Sequence, residues 1–581
     1  MKYWRLLLVV ALLSACGSGS SDMPAEDVQA SADNTELDSA AAETTQDAEF
    51  DEVLPPAAFA SMLPGPGQPG YDAELEHLAS MYDRQFHVFG TAGHGLNSDL
   101  VVPLDPPENR ALVEQFLREH DGWDFEAFAG KGVRDVVTDW QKVAGLYGGV
   151  GVVADAFRYG VYRDSGAYSA EETDKAREQL LVSLDRMCVA VEVTGVPGVV
   201  ARGFMRLDAP GYSEHIVTVA LFDDHGNPLP EVKNNGTWRA DNSGQHPDYV
   251  WEDSCSRDMY IGWMAAFAGG WEVIKDDAAI PEQLKARIKG HALDLVHELM
   301  KVRESGYDLE IPDADGRLTF HGYMNENNLD KVYLPGIRNG FHAIMALGAV
   351  AALHYVGQDP EVDSYLHEQL IGQRELHVIA AEPQVWVTQG VQSNFSNQNM
   401  AFTGAWLAFR YLEVKDPQVM LVLQKALSKA LYDNGEQNQP VEMKTSLFDF
   451  VYAAGMSGAN AWNAALVVPN LEAVGRGVQT LSEFPIPPYW ETEVINCDEQ
   501  ELADGACELN DGTQVILKGE IGWNDSLVSD TPIPMAIRPS SNYHWRSNPY
   551  KPNGGGDGSR MAGGADFRFA YWLARWVQVE P

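Results

Sequence analysis

The segment Trp251-Glu252-Asp253-Ser254-Cys255-Ser256-Arg257-Asp258 sets two carboxyls around the start of an apolar helical run. Cleavage of an acetal needs such a pair. One carboxyl is protonated to help the leaving group depart, and the other is ionised to act as base or nucleophile. Asp and Ser at a helix start also answer free backbone N–H groups, so capping is the competing role for Asp253 and Asp258. Arg257 can grip a ligand carboxylate with two parallel hydrogen bonds, or pair with Asp253. Phe320-His321-Gly322-Tyr323 places an imidazole and a phenol in an expected loop before another apolar run. His321 or Tyr323 can accept or deliver a proton, and the alternative is a hydrogen-bonded core pair. His342, inside an apolar helix, is expected to pack. Asn397 and Asn399 offer amides to an anionic ligand or cap a helix. Asp566 is a third carboxyl near a predicted loop end.

From Arg538 to Arg575 the chain gathers Arg538, Arg546, Lys551, Arg560, Arg568 and Arg575 against only Asp557 and Asp566. With Tyr543, His544, Trp545 and Tyr550, this island suits an anionic, ring-shaped ligand. The same arginines could instead clasp acidic helices. The glycines at 554–556 lack the spacing and strand–helix setting of a dinucleotide fingerprint. There is no Gly-x-Ser-x-Gly elbow, His-Glu-x-x-His or phosphate-binding loop. The cysteines lack zinc-ligand spacing, so no metal site is expected from them. The acidic loop Cys497 to Asp511 could offer oxygens to calcium, without the EF-hand spacing, and no other cofactor is implied.

The elements that must position these groups are helices. Helical periodicity recurs over Gln141 to Tyr162, Ala170 to Val193, Ser256 to Ile274, Pro281 to Val302, Ile337 to Tyr355, Val362 to Val378, Asn399 to Leu412, Pro417 to Tyr432, Thr445 to Ala465, Leu471 to Leu481 and Phe567 to Val577. Ser169-Ala170-Glu171-Glu172 has the form of a capping box, and Pro281 and Pro417 sit where first helical residues are expected. Runs rich in Gly, Ala and aromatics alternate with amphipathic, charged ones. The first kind suits burial on most faces and the second an outer layer. The expected fold is therefore mainly α, an (α/α) helical-hairpin toroid. A β/loop insertion falls at about 195–250, and lid-like loops at about 484–565 make the C-terminal segment loop-rich, with a strand at Thr513 to Leu517.

In this pattern the chain resembles the six-hairpin (α/α) toroid glycosidase-like superfamily, and within it bacterial lipoproteins. The likeness rests on Trp251 to Asp258, on Ser396 to Phe402, and on Arg538-Pro539, His544-Trp545-Arg546, Asn553 to Gly558, Asp566 and Tyr571-Trp572. It covers most of the chain after about Val136. The resemblance implies a carbohydrate-active enzyme with its site in the mouth of the ring. The expected activity is glycoside hydrolysis, with Asp253, Asp258 or Asp566 as the carboxyls. A polysaccharide lyase would instead use His321 or Tyr323 as base, and Asn397, Asn399 or Arg257 to neutralise a uronate. A non-catalytic glycan-binding protein is the third alternative. His544, Trp545, Arg546 and Arg560 are expected to bind substrate. Inner helices of such a ring run parallel, so Asp253 or Asp258, His321, Asn397 and Trp545 should share one mouth.

The N-terminus implies export. Lys2 and Arg5 precede the apolar run Leu6 to Leu13, and Leu13-Ser14-Ala15-Cys16 resembles the bacterial lipobox. Residues 1–16 are thus expected to be a lipoprotein signal peptide. Cys16 would carry lipid, and Gly17 after it favours the outer membrane. Residues 17–70, acidic and then rich in Pro and Gly, are expected to be a disordered spacer, leaving 71–581 as the toroid domain. The chain carries 84 acidic and 41 basic side chains, a net charge of −43. That excludes a basic nucleic-acid face as its organising feature. Partners are then a glycan and, through the lipid, a membrane. Cys497 and Cys507 are expected to form a local disulfide; Cys188 and Cys255 either pair or stay as buried thiols.

Overall fold

The computed structural model describes residues 59–580 except 212–215, 230–235, 330–331, 335, 384–394, 459, 463–465, 493–505, 509–513, 522–526, 530, 536–537, 539–548 and 551–555. At 492, 506–508, 514–521 and 527–528 only the backbone is described. The expected signal peptide with Cys16, the acidic part of the expected spacer, the expected Cys497–Cys507 disulfide, the acidic loop beside it and His544-Trp545-Arg546 lie outside what is described.

Outer and inner helices alternate along the chain. Outer α1 (Ala73–Arg84) continues through Gly90 and comes first. Inner α2 (Gly145–Ser165) is followed by outer α3 (Ala170–Glu192), and inner α4 (Arg257–Ile274) by outer α5 (Glu282–Met300). Inner α6 (Gly340–Gly357) precedes outer α7 (Pro360–Ser364, continuing to Gln373). Inner α8 (Phe395–Tyr411) precedes outer α9 (Pro417–Lys425, continuing to Tyr432). Inner α10 (Ser446–Gly455), outer α11 (Leu471–Ser482) and inner α12 (Ala565–Trp576) complete the set. Helix α2 packs on α4, α4 on α6, α6 on α8, α8 on α10, α10 on α12, and α12 back on α2. The chain is a six-hairpin (α/α) toroid.

The inner helices run parallel. At one end of the ring the Arg257 guanidinium stands 5.6 Å from the Phe341 ring centre, in the first turns of α4 and α6. At the other end Arg410 Nη2 donates to Glu272 Oε1 (2.5 Å) and Tyr355 lies 5.1 Å from Tyr411. Along α8 and α10, Phe402 stacks on Phe448 at 4.0 Å and Gly455 faces Phe409 further along both helices. On α2 and α12, Asp155 meets Arg568 and Gly160 meets Trp576. All six N-termini therefore open on one face, the mouth.

Glycine sets how tightly the ring closes. A Cβ on Gly149 would stand 2.1 Å from the Gly262 carbonyl oxygen, and one on Gly348 2.2 Å from that of Gly404. Helix α6 is buried on every face and is long and apolar enough to cross a membrane; here it is a wall of the core. The capping box forms as read from the sequence: Glu172 N–H donates to Ser169 Oγ (3.2 Å) and Ser169 N–H to Glu172 Oε2 (2.8 Å).

Three expectations are corrected. The spacer does not extend to residue 70. Met62 and Leu63 are buried, and their N–H groups donate to Val577 O (3.1 Å) and Ala574 O (3.0 Å). The helices of the ring do not start at Gln141, because α1, which is not among the expected spans, is its first outer helix and packs on α12. The helix expected over Thr445 to Ala465 ends at Gly455, shortly before Gly458 takes a left-handed φ of 77°.

Between α1 and α2 a side lobe builds its own core from Phe89, Phe116, Phe125 and Trp140. The 195–250 insertion is a sheet, as expected. β1 (Val143–Ala144), β2 (Gly203–Arg206), β3 (Trp238–Ala240) and β4 (Tyr249–Glu252) pair antiparallel in the order β1-β2-β4-β3. The Thr513 to Leu517 strand is found as Gln514–Ile521. Cys188 and Cys255 are both buried free thiols, so they do not pair.

Candidate functional site at the mouth of the toroid

Asp253 follows β4 directly and is held by the sheet. Its Oδ1 accepts Thr237 N–H (2.8 Å), and its Oδ2 accepts Arg239 Nε (2.8 Å) and Nη2 (2.5 Å). At 1% exposure this is an internal ion pair. Such a carboxylate is a strut that fixes the loop entering α4, and the structure gives it no open side to a ligand. Asp253, a catalytic candidate in the sequence, is thus held in an ion pair with Arg239 and on the Thr237 backbone N–H.

Asp258 differs. It stands in the first turn of α4, half-buried. Ser256 Oγ donates to its Oδ1, while Arg202 Nη1 donates to Ser256 Oγ (2.6 Å). Its Oδ2 takes no hydrogen bond from the described residues. One oxygen is thus held and the other remains available at the helix N-terminus.

His321 and Tyr323 are not in a loop. They lie half-buried on strand β6 (Leu318–Tyr323), which pairs with β5 (Glu310–Pro312). Ser254 ties this hairpin to the α4 entrance. Its N–H donates to Asp313 Oδ2 (2.8 Å), and its Oγ accepts Phe320 N–H (3.1 Å). Ser254 holds a φ of 61°, a left-handed conformation that a non-glycine residue keeps only when its surroundings impose it. The hairpin is braced from below as well. Arg374 donates to Asp308 Oδ2 (2.8 Å) and to Glu326 Oε1 (2.9 Å), and Tyr365 Oη donates to Asp308 Oδ2 (2.6 Å).

Asn397 and Asn399 lie in the first turns of α8, Asn397 half-buried and Asn399 2% exposed. Asn399 Oδ1 has no hydrogen-bond partner among the described residues, and neither has Ser446 Oγ at the start of neighbouring α10. Buried polar atoms are normally satisfied, so two orphans at adjacent mouth ends mark a place where water or a hydroxyl-bearing ligand completes the set. Asp566 is buried in the first turn of α12, with its Oδ1 accepting Phe567 N–H (2.9 Å). Asp258, Asn397 and Asp566 therefore occupy first turns of alternate inner helices, α4, α8 and α12. His342 packs as expected: it is 1% exposed with Nδ1 beside Asn325 O (3.1 Å).

The described arginines of the basic island act as clasps. Arg538, Arg568 and Arg575 are buried at 0–1% exposure. Arg538 donates to Met443 O and Ile533 O, Arg568 to Asp83 and Asp155, and Arg575 to Tyr571 and Tyr168 hydroxyls. Arg560 pairs with Asp99 (2.7 Å) and Glu491 (3.5 Å).

Sequence reasoning missed an aromatic platform. Tyr307 and Tyr333 stack at 3.8 Å and 4°, both half-buried, and Tyr323 meets Tyr333 edge-on at 6.3 Å. Tyr333 Oη donates to Glu310 Oε1 (2.6 Å). Burial and that carboxylate hold the Tyr333 hydroxyl well above its ordinary range. The three tyrosines come from separate segments of the chain, so no spacing announces them. A wide groove of about 1200 Å³ lies elsewhere, on the outer wall between α3 and the side lobe, and is walled mainly by acidic side chains such as Glu126, Glu171 and Glu178.

No protein family and no curated protein matches the chain. Among solved structures it is similar to a sugar epimerase from a ruminal bacterium, at 12% identity and TM-score 0.39, over 86% of this chain and 98% of that one. It is also similar to the cellulase Cel9M of C. cellulolyticum, at 9% identity and TM-score 0.35, over 88% and 99%. The endoglucanase CelQ from Clostridium thermocellum, complexed with cellotetraose, matches at 11% identity and TM-score 0.36, over 87% and 72%. The assignment of the fold rests on the closed helix ring itself.

Proposed function

We propose that the chain is a carbohydrate-active enzyme, a glycoside hydrolase acting on an oligo- or polysaccharide at the mouth of the toroid. The observation that carries this reading is Asp258: one carboxylate oxygen is fixed through Ser256 and Arg202, and the other is open at the N-terminal end of an inner helix. In hydrolysis one carboxyl protonates the glycosidic oxygen as the bond to the anomeric carbon breaks, and a second carboxylate takes a proton from the attacking water. Asp566, two helices round the ring, is the candidate for the second. Tyr307, Tyr323 and Tyr333 offer ring faces against which a sugar can stack.

The test is an assay of one glycan panel read in two ways, by reducing ends released and by ultraviolet absorbance of unsaturated ends. Reducing ends without new absorbance are expected. Asp258→Asn should then lower kcat by about 100- to 10,000-fold. Its melting temperature should hardly move, because the carboxylate at the helix start is worth only ~1 kcal/mol. Undiminished turnover in that variant would remove Asp258 from the mechanism. Absorbing products would instead favour elimination with His321 or Tyr323 as base, and binding without either product a glycan-binding protein.

The same reading holds the enzyme at the bacterial cell envelope through lipid on Cys16, with the acidic segment as its tether, at the outer membrane. Support comes from the Leu13-Ser14-Ala15-Cys16 motif. Cys16→Ser should move the protein from the membrane fraction to the soluble one. Retention in salt-washed membranes would refute the lipid anchor.

A further inference from the structure

At the end of the ring opposite the mouth, α6 finishes in His354. This imidazole is 5% exposed, and neither of its nitrogens makes a hydrogen bond among the described residues. Its Nε2 stands 3.4 Å from Asp363 Oδ1, and the same oxygen is 3.6 Å from His367 Nε2. His367 Nε2 is also buried without a hydrogen-bond partner. Glu413, just past the end of α8, brings a carboxylate oxygen that lies within 4.8 Å of the ligand atoms of His354 and Asp363. A buried and a half-buried imidazole converge on one carboxylate oxygen at separations too long for good hydrogen bonds and too short to be unrelated.

These separations fit a coordination polyhedron. A tetrahedral zinc ion with bonds of about 2.0–2.1 Å keeps its ligand atoms roughly 3.4 Å apart. The donor set is nitrogen and carboxylate oxygen, which suits zinc and its first-row neighbours rather than calcium or magnesium. Three protein ligands and one water complete the tetrahedron.

We propose that His354, Asp363 and Glu413 form a site for a divalent transition metal, zinc by preference. The ion fastens the end of α6, the start of outer α7 and the segment after α8 to one another. Lys415 occupies the approach. Its Nζ donates to both Asp363 oxygens (2.6 and 2.7 Å) and lies 4.0 Å from Glu413 Oε2. It is half-exposed, so a metal displaces its ammonium into water with little loss. The neighbouring trio His297, Asp359 and Glu361 is looser: His297 Nε2 is 3.8 Å from Asp359, whose carboxylate already caps α7.

The experiment is calorimetric titration of the chelator-treated full chain with zinc chloride alone, repeated with cobalt chloride to read the visible absorption of a tetrahedral centre. One tight equivalent, a tetrahedral cobalt spectrum and a melting temperature that rises with metal are expected. His354→Ala and Glu413→Gln should each weaken binding by about 100-fold or more. Glu413 is half-buried on a loop, so that variant keeps the test open if His354→Ala fails to fold. Lys415→Ala should bind about tenfold more tightly, since it removes a competing charge some 4 Å away. His297→Ala should bind as the unchanged protein does. Absence of saturable binding, binding lost in His297→Ala but kept in Glu413→Gln, or weaker binding in Lys415→Ala would overturn the proposal.

Discussion

Replacing Arg568 with Met is expected to lower folding stability by about 3–5 kcal/mol, measured by urea denaturation. The guanidinium is fully buried. Its Nε donates to Asp83 Oδ1 (2.6 Å) and its Nη2 to Asp155 Oδ1 (2.6 Å), while its plane lies 3.9 Å from the Phe86 ring centre. Asp155 also meets His87 Nε2 (2.7 Å) and accepts Ser183 Oγ (2.6 Å). Removing the arginine strands two acids in the core, with Arg158 at 3.5 Å and the Trp572 indole N–H at 3.2 Å left beside Asp83. Burial works against the charge of Asp155, yet His87 and Arg568 hold its carboxyl well below the usual range. The pH dependence of the deficit is diagnostic. Burial, with Arg158 and Arg568 nearby, pulls His87 down to about 4 despite Asp155. Once Arg568 is gone, His87 can gain a proton in mild acid and stand in for it. The folded variant then binds protons that the folded parent does not, so the gap between them should narrow as pH falls below about 6.5. A loss under about 1 kcal/mol, or a gap that widens with acid, would contradict this account of the cluster.

The second large effect is expected at the contact between inner helices. Gly348→Ala puts a methyl 2.2 Å from the Gly404 carbonyl oxygen, and Gly149→Ala puts one 2.1 Å from that of Gly262. Both obstacles are backbone on a buried helix and cannot swing aside. Alanine gains about 1 kcal/mol over glycine in a helix. Overpacking costs about 1–3 kcal/mol where neighbours can shift, and more where they cannot. A net loss of about 2 kcal/mol or more is expected for each. Gly290 on α5 and Gly475 on α11 meet nothing within 4 Å, so alanine there should stabilise by up to about 1 kcal/mol. Thermal melts of the four variants check the contrast; a Gly348→Ala protein as stable as Gly290→Ala would mean that the ring is not held by that approach.

How far the architecture could be read from the chain follows from the range of each signal. The capping box at Ser169 and the spans of α3, α4 and α11 are local, and expectation and structure agree to within a residue or two. Alternation of Gly/Ala-rich with charged helices announced the two layers, because burial on all faces and burial on one face leave different compositions. α1 was missed. Its amphipathic sequence follows a Pro/Gly run, and its partner α12 lies almost 500 residues away. The site was legible in residue type and not in role. Asp253 and Asp258 look alike in sequence, yet Arg239, from across the insertion, commits the first and leaves the second available. Register between β3 and β4 decides that, and no spacing reveals it. The same holds for Arg568 and Arg575, whose acidic partners come from the opposite end of the chain.

The ring is joined where its two chain ends meet. Outer α1 lies against α12, and the backbone of Ala60, Met62 and Leu63 pairs with Val579, Val577 and Ala574. A toroid of this kind works like a belt whose buckle is made from the first and last links. The earliest segment to emerge during synthesis has nowhere to settle until the latest one arrives. Closure of that long loop adds to the entropic barrier, and a chain interrupted before Ala565 leaves α1, α2 and α10 each with an uncovered apolar face. Because the ends are already side by side, joining them and cutting at an outer turn such as that before Ala170 would relocate the buckle without removing it.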